Sequence, residues 1–350
     1  MARALQLGEG VVRHVLQDDA VPDCGRDLEE VCFDKVAAVQ VKVAAIAVIF
    51  LTSAVGVLIP LLGRRLGVLS PDRNPFFIMK VFAAGVILAT AFIHMLPTAM
   101  EVLANPCLPT EPWGHFAWSG FIAMLGALGT LVIEFGATEF YLNRHGWAMP
   151  GPIVDTLGEI NTLEKQSLET SSGSPTCIHV KDGRDESMFT HARHLVVAQV
   201  FEFGVVAHSI IVGITVGVSH SPCTIKPLFA ALTFHQFFEG IALGGCITLA
   251  GFRTRTSLIM GTCFAITTPL GIAIGMGIAN TYNEKSPKSL MVTGIFDSIS
   301  AGILLYMALV DLIASDFYST RIRGSRILAT QAFLALFLGV ACMSIIGVWA

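Results

Sequence analysis

The sequence predicts an all-α polytopic membrane protein with eight transmembrane helices, three before and five after a long cytosolic loop. The first reason is composition: of 350 residues, 53% are hydrophobic and 14% are charged, against about 25% charged in soluble domains. The second is that eight stretches stay mostly apolar for about 18 residues or more, enough to cross a bilayer. The third is the distribution of lysine and arginine, which sets the orientation of the helices.

The apolar stretches divide the chain into four regions. Residues 1–42 are expected to form an extracytosolic N-terminal segment, 43–139 helices one to three, and 195–350 helices four to eight. Residues 140–194 between them are polar and without sustained periodicity, and we interpret them as a variable cytosolic loop. The eight stretches lie at about 43–62, 77–97, 116–137, 195–218, 227–250, 257–279, 291–313 and 328–348.

Basic residues between the stretches predict that both termini lie outside the cytosol. With that orientation the short inner loops hold nine lysines and arginines and the short outer loops hold three, as the positive-inside rule requires. The inner nine are Arg64, Arg65, Arg73, Lys80, Arg253, Arg255, Arg321, Arg323 and Arg326, and the outer three are Lys226, Lys285 and Lys288. The orientation also puts Cys24, Cys32, Cys107 and Cys223 on the oxidising side, where disulfides form, although their spacing leaves the pairing open.

The strongest functional signal is a histidine and a glutamate in the middle of the fifth stretch. His235, Gln236 and Glu239 interrupt an otherwise apolar run, and His235 and Glu239 are four residues apart, so they share a helical face. A charged residue at the centre of a bilayer is costly and survives where it binds or conducts an ion. Imidazole and carboxylate together suit a divalent transition metal, zinc above all.

The fourth stretch supplies a partner at matching depth. His208 and Ser209 lie near its middle, and at 1.5 Å of rise per residue His208, His235 and Glu239 fall within a turn or two of the midplane. Two imidazoles, a carboxylate and water form an ordinary ligand set for an exchangeable zinc ion. The oxygens of Ser209 and Gln236 would add a weaker adjoining position.

Other ionisable residues inside the stretches predict a transport pathway. Its expected members are His94, Glu134, Glu202, Asp297 and Asp311. His94 and Asp297 lie toward the outer ends of their stretches and are expected at the entrance, whereas the other three lie toward the cytosol. We expect Asp316, by contrast, to be an interfacial charge that faces water.

Motifs of other chemistries are absent from the sequence. It contains no His-Glu-x-x-His pair and no glycine-rich phosphate loop ending in Lys-Ser/Thr, so neither a zinc protease nor an ATP-driven pump is supported. We therefore expect a transporter and no enzyme. An intramembrane metalloenzyme that activates water at the same ligands and a metal-regulated receptor stay as alternatives.

These motifs resemble the ZIP family of zinc- and iron-regulated transporter-like proteins, its plant-type branch in particular, from about residue 41 onward. The most specific parts are His208-Ser209 with the glycines that follow, and the run His-Gln-Phe-Phe-Glu-Gly at 235–240. Stretches at 85–97, 267–271 and 301–311 support the resemblance. It implies an eight-helix fold with both termini extracytosolic, and movement of zinc, often also iron, manganese or cadmium, into the cytosol.

The resemblance also implies a metal site between helices four and five, carried over to His208, Ser209, His235, Gln236 and Glu239. Two departures matter. Some relatives carry an acidic residue one turn after the histidine of helix four, where this chain has Val212, so we expect one good site and a weaker second one. The histidines of the 140–194 loop are scattered and form no His-rich repeat.

We expect no resident cofactor, because the metal is the transported substrate: Zn²⁺, with Fe²⁺, Mn²⁺ and Cd²⁺ as alternatives. The expected partners are divalent metal ions and the lipid bilayer, with a homodimer left open and no nucleic acid. The expected location is multi-pass in the plasma membrane.

Overall fold

The computed structural model describes residues 32, 34–66, 73–144, 182–281, 283 and 286–348, and every regular element in them is a helix. Most of the predicted N-terminal segment and of the 140–194 loop, with Cys24 and Cys177, lies outside the described residues. The long helices are α1 (Lys35–Leu66), α2 (Asn74–Leu103), α3 (Trp118–Arg144), α4 (Asp182–Val218), α5 (Pro222–Leu249), α6 (Thr254–Ile278), α7 (Pro287–Phe317) and α8 (Arg326–Gly347). Thr110–Trp113 and Thr320–Arg323 are short helical turns.

The helices make the chain a multi-pass membrane protein. Seven of the long helices in the described residues are long and apolar enough to cross a membrane. The eighth, α5, has 28 residues and differs from the others by the polar residues at its centre. Helix α4 begins at Asp182, about three and a half turns before the start predicted for this span.

Three helices begin with the same local signal. Ser221, Ser286 and Ser325 precede α5, α7 and α8, and each side-chain oxygen accepts a hydrogen bond from the backbone N–H three residues later. Such a cap satisfies one of the free N–H groups at a helix start. Pro222 and Pro287 then occupy the first turn, where proline removes no helical hydrogen bond.

The long helices pack mainly in pairs. Helix α1 packs most extensively on α5, α4 on α6 and α3 on α7, whereas α2 packs about equally on α8 and α7, and α6 also packs on α1. The contacts therefore define two sets of helices. The first, called the site set because it carries His208, His235 and Glu239, consists of α1, α4, α5 and α6. The second, called the support set, consists of α2, α3, α7 and α8 and contributes His94 and Asp297. Helix α4 meets α3 and α7 of the support set, and α5 meets α2.

Glycines bring the paired backbones close together. A Cβ atom at Gly213 of α4 would lie 2.7 Å from the carbonyl oxygen of Thr268 on α6, and one at Gly240 of α5 would lie 3.1 Å from that of Ser53 on α1. Without hydrophobic pressure between helices in lipid, small residues at such crossings allow the dispersion contacts that hold helices together. The glycines of helices four and five thus allow close contact between helix backbones.

Two helices depart from α-helical geometry at functionally suggestive positions. The segment Thr90–Met95 of α2 is π-helical and contains His94. The segment Met307–Ala314 of α7 is also π-helical and contains Asp311. π-helical turns are rare and concentrate at functional sites. The backbone around His94 and Asp311 therefore supports the predicted pathway role of both residues.

The start of α1 is fastened to the turn between α4 and α5. Cys32 and Cys223 form a disulfide with a Cα–Cα distance of 6.0 Å, and Cys107 is disulfide-bonded as well. The backbone N–H of Asp34 donates to the carbonyl of His220, and the buried Lys42 ammonium donates to the carbonyl of Gly217 at 2.7 Å. These contacts fix the end of α4 that follows His208.

Candidate metal site

Three imidazoles from three helices meet in the middle of the bundle. The ring centroids of His94 and His208 are 6.1 Å apart, those of His94 and His235 are 5.9 Å apart, and those of His208 and His235 are 6.1 Å apart. Helices α2, α4 and α5 thus each contribute one corner of a nearly equilateral triangle. His208 and His235 are brought together as predicted, and His94 joins them.

The triangle is slightly wider than a loaded metal site. Three imidazoles bound to one tetrahedral zinc through Zn–N bonds of about 2.1 Å have their ring centres about 5 Å apart. Accordingly, no three His, Cys, Asp or Glu side chains of the described residues are already close enough to hold an ion. The rings need to approach one another by about 1 Å to reach that spacing.

Carboxylates flank the histidines. Asp297 of α7 places Oδ1 3.6 Å from Nδ1 of His208, longer than a hydrogen bond but close enough for strong attraction to a bound cation. Glu239 lies one turn after His235 on α5 and is fully buried. The site therefore combines imidazole nitrogen and carboxylate oxygen on four helices.

The buried polar atoms here lack partners to an unusual degree. Both ring nitrogens of His208 and of His235, both carboxylate oxygens of Glu239 and Oδ1 of Asp297 are buried without a hydrogen bond. Native proteins leave few such atoms unsatisfied, and a concentration of them indicates a place for a water or an ion. All of them are donors to a metal ion, which makes this the best-supported ligand site among the described residues.

The predicted weaker position has a polar neighbourhood of its own. The amide nitrogen of Gln236 donates to the hydroxyl of Ser209 at 3.5 Å, and both residues are fully buried. The amide oxygen of Gln236 is left without a partner. Val212 packs in an apolar cluster with Leu232 and Ile272, so no carboxylate is available there to join two ions.

A layer of apolar side chains lies beyond the histidines, toward the helix ends opposite the α4–α5 turn. Ile87 of α2, Phe201 of α4, Ile241 of α5 and Leu304 of α7 are buried in one hydrophobic cluster. These residues lie six or seven positions from the three histidines and from Asp297 along each helix, about 10 Å. Glu239 is only two positions from Ile241 and borders the layer. The site is therefore closed on this side by packed apolar side chains.

Beyond the apolar layer, two of the remaining pathway residues, Glu134 and Asp311, belong to an ion-pair network. Arg193 Nε lies 2.6 Å from Glu134 Oε1, and its Nη2 lies 2.7 Å from Asp311 Oδ1. Asp316, predicted to face water, instead pairs with Lys80 at 2.9 Å and is largely buried. Glu202 is partly exposed and makes no ion pair within the described residues.

Sequence reasoning placed His94 and Asp297 too near the helix ends. The apolar stretch predicted for α2 stops at residue 97, but the helix continues to Leu103. The stretch predicted for α7 starts at 291, but the helix begins at Pro287. The added turns move both residues inward to the depth of His208. Arg193 was missed, because its partners are 59 and 118 residues away in sequence.

The helices define a multi-pass membrane protein, and the cluster at their centre presents the ligand atoms that a divalent metal ion takes. The family model described as ZIP Zinc transporter matches residues 39–347. The chain is 42% identical to Zinc transporter 9 of Oryza sativa subsp. japonica, over 100% of both proteins. It is also 42% identical to "Fe(2+) transport protein 3, chloroplastic" of Arabidopsis thaliana, covering 93% of this chain and 89% of that protein. A third relative, Fe(2+) transport protein 1 of Arabidopsis thaliana, is 40% identical over 95% of this chain and 92% of its own length.

The chain belongs to the ZIP zinc transporter family. The resemblance drawn from the helix-four and helix-five motifs is therefore confirmed. Relatives named for zinc and relatives named for iron match equally well, so the comparison supports divalent metal transport without deciding between the two ions.

Proposed function

We propose that this protein transports Zn²⁺ into the cytosol through the cluster of His94, His208, His235 and Glu239. The observation that carries the proposal is the set of buried, unpartnered nitrogen and oxygen atoms contributed by several helices to one place. Leaving such groups buried without partners costs free energy, and a divalent cation compensates all of them at once. Each donor type is a normal zinc ligand.

We further propose eight membrane spans with both termini outside the cytosol, α5 being the span that hydropathy alone does not recover. The basic residues of the loops support this orientation. The disulfide between Cys32 and Cys223 supports it independently, because it places the start of α1 and the α4–α5 turn on one oxidising side. The proposed membrane is the plasma membrane.

The donor set favours zinc over the harder ions. Three imidazoles with a carboxylate suit zinc, whereas magnesium, calcium and manganese prefer sites made of oxygen alone. Ser209 and Gln236 supply neutral oxygens next to the imidazoles, so they would hold a second ion only weakly. Iron remains a competing substrate, because imidazole with carboxylate also binds Fe²⁺.

In the proposed mechanism the protein's own groups replace the water around the ion in steps. Asp297, beside His208, attracts the cation and His94 admits it to the imidazole triangle. Movement of the three rings toward one another then closes the ligand set. Release requires the apolar layer around Phe201 and Leu304 to part, after which Asp311 and Glu134 receive the ion.

The test is uptake of labelled zinc by proteoliposomes that contain wild type, His208→Ala, His235→Ala or Glu239→Ala. Removing a group that merely orients a metal ligand costs about 10–100-fold in affinity, so each ligand substitution should reduce uptake at low zinc by at least about tenfold. His115→Ala is the matched control, because that histidine is 75% exposed in its side chain and lies outside the site. Unchanged uptake in all three site variants would refute the assignment.

Competition decides the substrate. Unlabelled Zn²⁺, Fe²⁺, Mn²⁺ and Cd²⁺ are added separately to the uptake assay with labelled zinc. Unlabelled zinc should reduce the uptake of label most if imidazole ligands control selectivity. A transport site also exchanges its ion quickly, whereas the alternative intramembrane metalloenzyme would retain zinc through purification.

A further inference from the structure

A bidentate arginine holds two carboxylates at the cytosolic end of the helices. Arg193 of α4 donates from Nε to Glu134 of α3 at 2.6 Å and from Nη2 to Asp311 of α7 at 2.7 Å. The hydroxyl of Tyr306 donates to the second oxygen of Glu134 at 2.7 Å. The Asp311 side chain is 2% exposed, and its Oδ2 atom is buried without a partner. The network therefore joins two buried carboxylates, one of them incompletely satisfied, to an arginine whose side chain is 34% exposed.

The network lies on the same helices as the metal site. Arg193 precedes His208 by 15 residues on α4, and Asp311 follows Asp297 by 14 residues on α7, which correspond to about 21–22 Å. Arg193 and Asp311 also line a cavity of about 320 Å³ at this end of the protein. An ion that leaves the histidines along these helices toward the cavity meets Asp311, whereas Glu134 lines a second cavity that Arg193 also borders.

The arginine also joins the two helix sets. Helix α4 belongs to the site set, whereas α3 and α7 belong to the support set, and both hydrogen bonds of Arg193 cross between them. Phe201 of α4 and Leu304 of α7 are buried in one cluster, so the apolar layer can open only if α4 moves relative to α7. That movement has to break charge-assisted hydrogen bonds, which are stronger than neutral ones.

We propose that Arg193 is a tethered cation that occupies the exit carboxylates Glu134 and Asp311 in the empty protein, latches the cytosolic end closed, and yields them to the departing metal ion. Two carboxylates that converge on a guanidinium present the oxygen atoms that a divalent cation would use. The free oxygen of Asp311 gives the ion a first contact before the arginine leaves. Arg193 is a positioning residue in this scheme, because it acts through the carboxylates.

The chain provides a matched control for this latch. Lys80 and Asp316 form a second ion pair at 2.9 Å, and both line the same cavity. This pair joins α2 to α7, so it stays within the support set. Lys80→Gln therefore removes a buried positive charge at the same depth without uncoupling the two sets.

A native cysteine provides the readout. Cys246 of α5 is 5% exposed and lines the cavity next to Arg193 and Asp311, so its reaction with a membrane-impermeant maleimide reports opening of the cytosolic end. The background protein carries Cys177→Ser, Cys263→Ser and Cys342→Ser, which removes the other cysteines outside the predicted extracytosolic set. Modification is followed in inside-out vesicles with and without Zn²⁺.

The latch predicts that Arg193→Gln speeds modification of Cys246 in the absence of zinc by about tenfold or more, the effect of losing one charge-assisted hydrogen bond. Lys80→Gln should leave the modification rate close to that of the background protein, because the Lys80–Asp316 pair does not join the two helix sets. Zinc should speed modification of the background protein and add little to Arg193→Gln. Arg193→Lys keeps the charge but lacks the planar guanidinium that donates to both carboxylates, so its modification rate should be intermediate. It serves as the test variant if Arg193→Gln does not accumulate.

Zinc uptake gives a second readout that a merely structural role would not reproduce. Without Arg193 the two carboxylates hold the departing ion longer, so both Vmax and KM should fall in Arg193→Gln. The latch is overturned if Arg193→Gln is modified at the background rate, or if Lys80→Gln is accelerated equally.

This inference rests on the proposed transport of zinc, and the two fail in different ways. No zinc flux through wild type, with accelerated modification of Arg193→Gln, would overturn the proposed substrate and the hand-over to the ion but retain the closed latch. Normal zinc flux with a background modification rate in Arg193→Gln would overturn the latch alone.

Discussion

Replacing Gly213 with alanine should strain the contact between α4 and α6 close to the metal site. A Cβ atom at this position would lie 2.7 Å from the carbonyl oxygen of Thr268 and 3.0 Å from Cα of Gly271. Both are backbone atoms of a helix, so they cannot move aside individually, and the two helices have to separate. Such overpacking costs about 1–3 kcal/mol, against a gain of about 1 kcal/mol from the better helix propensity of alanine.

The net expectation for Gly213→Ala is a loss of up to about 2 kcal/mol. Thermal unfolding in detergent measures it, because a change of this size lowers the midpoint by a few degrees in a large domain. Gly129→Ala is the matched control, since it also replaces a mid-helix glycine and its Cβ would have nothing within 4 Å. Zinc uptake by Gly213→Ala should fall as well, because the altered spacing displaces His208 one turn away.

The two variants together test whether close contact between α4 and α6 is the cause. Gly129→Ala should unfold at or slightly above the wild-type temperature, because alanine has the better helix propensity and its Cβ meets no other atom. If Gly213→Ala does the same, the close approach of α4 and α6 does not stabilise this region. If both variants lose stability equally, the cost comes from the loss of glycine and not from helix contact.

Two more outcomes are expected. Zinc uptake at equal pH on both sides should fall as the pH is made acid, because metal binding requires neutral imidazoles, and uptake that does not depend on pH would contradict a three-histidine site. The double substitution Cys32→Ser and Cys223→Ser should lower the unfolding midpoint, because this disulfide closes a loop of 191 residues, worth about 5 kcal/mol at most in the chain-entropy account. Cys263→Ser with Cys342→Ser removes two free cysteines and should leave the midpoint unchanged; equal losses in both pairs would argue against the disulfide.

Local sequence signals were sufficient to associate the residues at the centre of the bundle. His235 and Glu239 are one turn apart on one helix, and His208 lies at matching depth on the next, so periodicity and span length were sufficient to associate them. Depth was less reliable for His94, because hydropathy locates where a stretch becomes polar and not where its helix ends. The structure extends α2 by six residues beyond residue 97 and so moves His94 among the other imidazoles.

Long-range ion pairs could not be predicted in the same way. Arg193 lies at the polar border of the apolar stretch, where a charge ordinarily faces water, and the sequence interpretation therefore assigned it to the loop. Its partners Glu134 and Asp311 lie on two other helices, and no local pattern encodes that pairing. The π-helical turns at His94 and Asp311 have no sequence signature either, since they arise from the packing of α2 and α7.

The positions of these layers along α2 and α7 explain why transport here requires a conformational change. Lys80, Ile87 and His94 of α2 are spaced by seven residues, as are Asp297, Leu304 and Asp311 of α7. Seven residues are close to two helical turns, so each trio lies near one face of its helix. Each face is polar at the level of the histidines and at the level of the ion pairs, and apolar between these levels. Ile87 and Leu304 are buried in a single cluster with Phe201 of α4, which belongs to the site set. A bare cation cannot cross packed apolar side chains at an acceptable cost, so the ion passes only when the two helix sets separate, which is the movement that the Arg193 bonds resist.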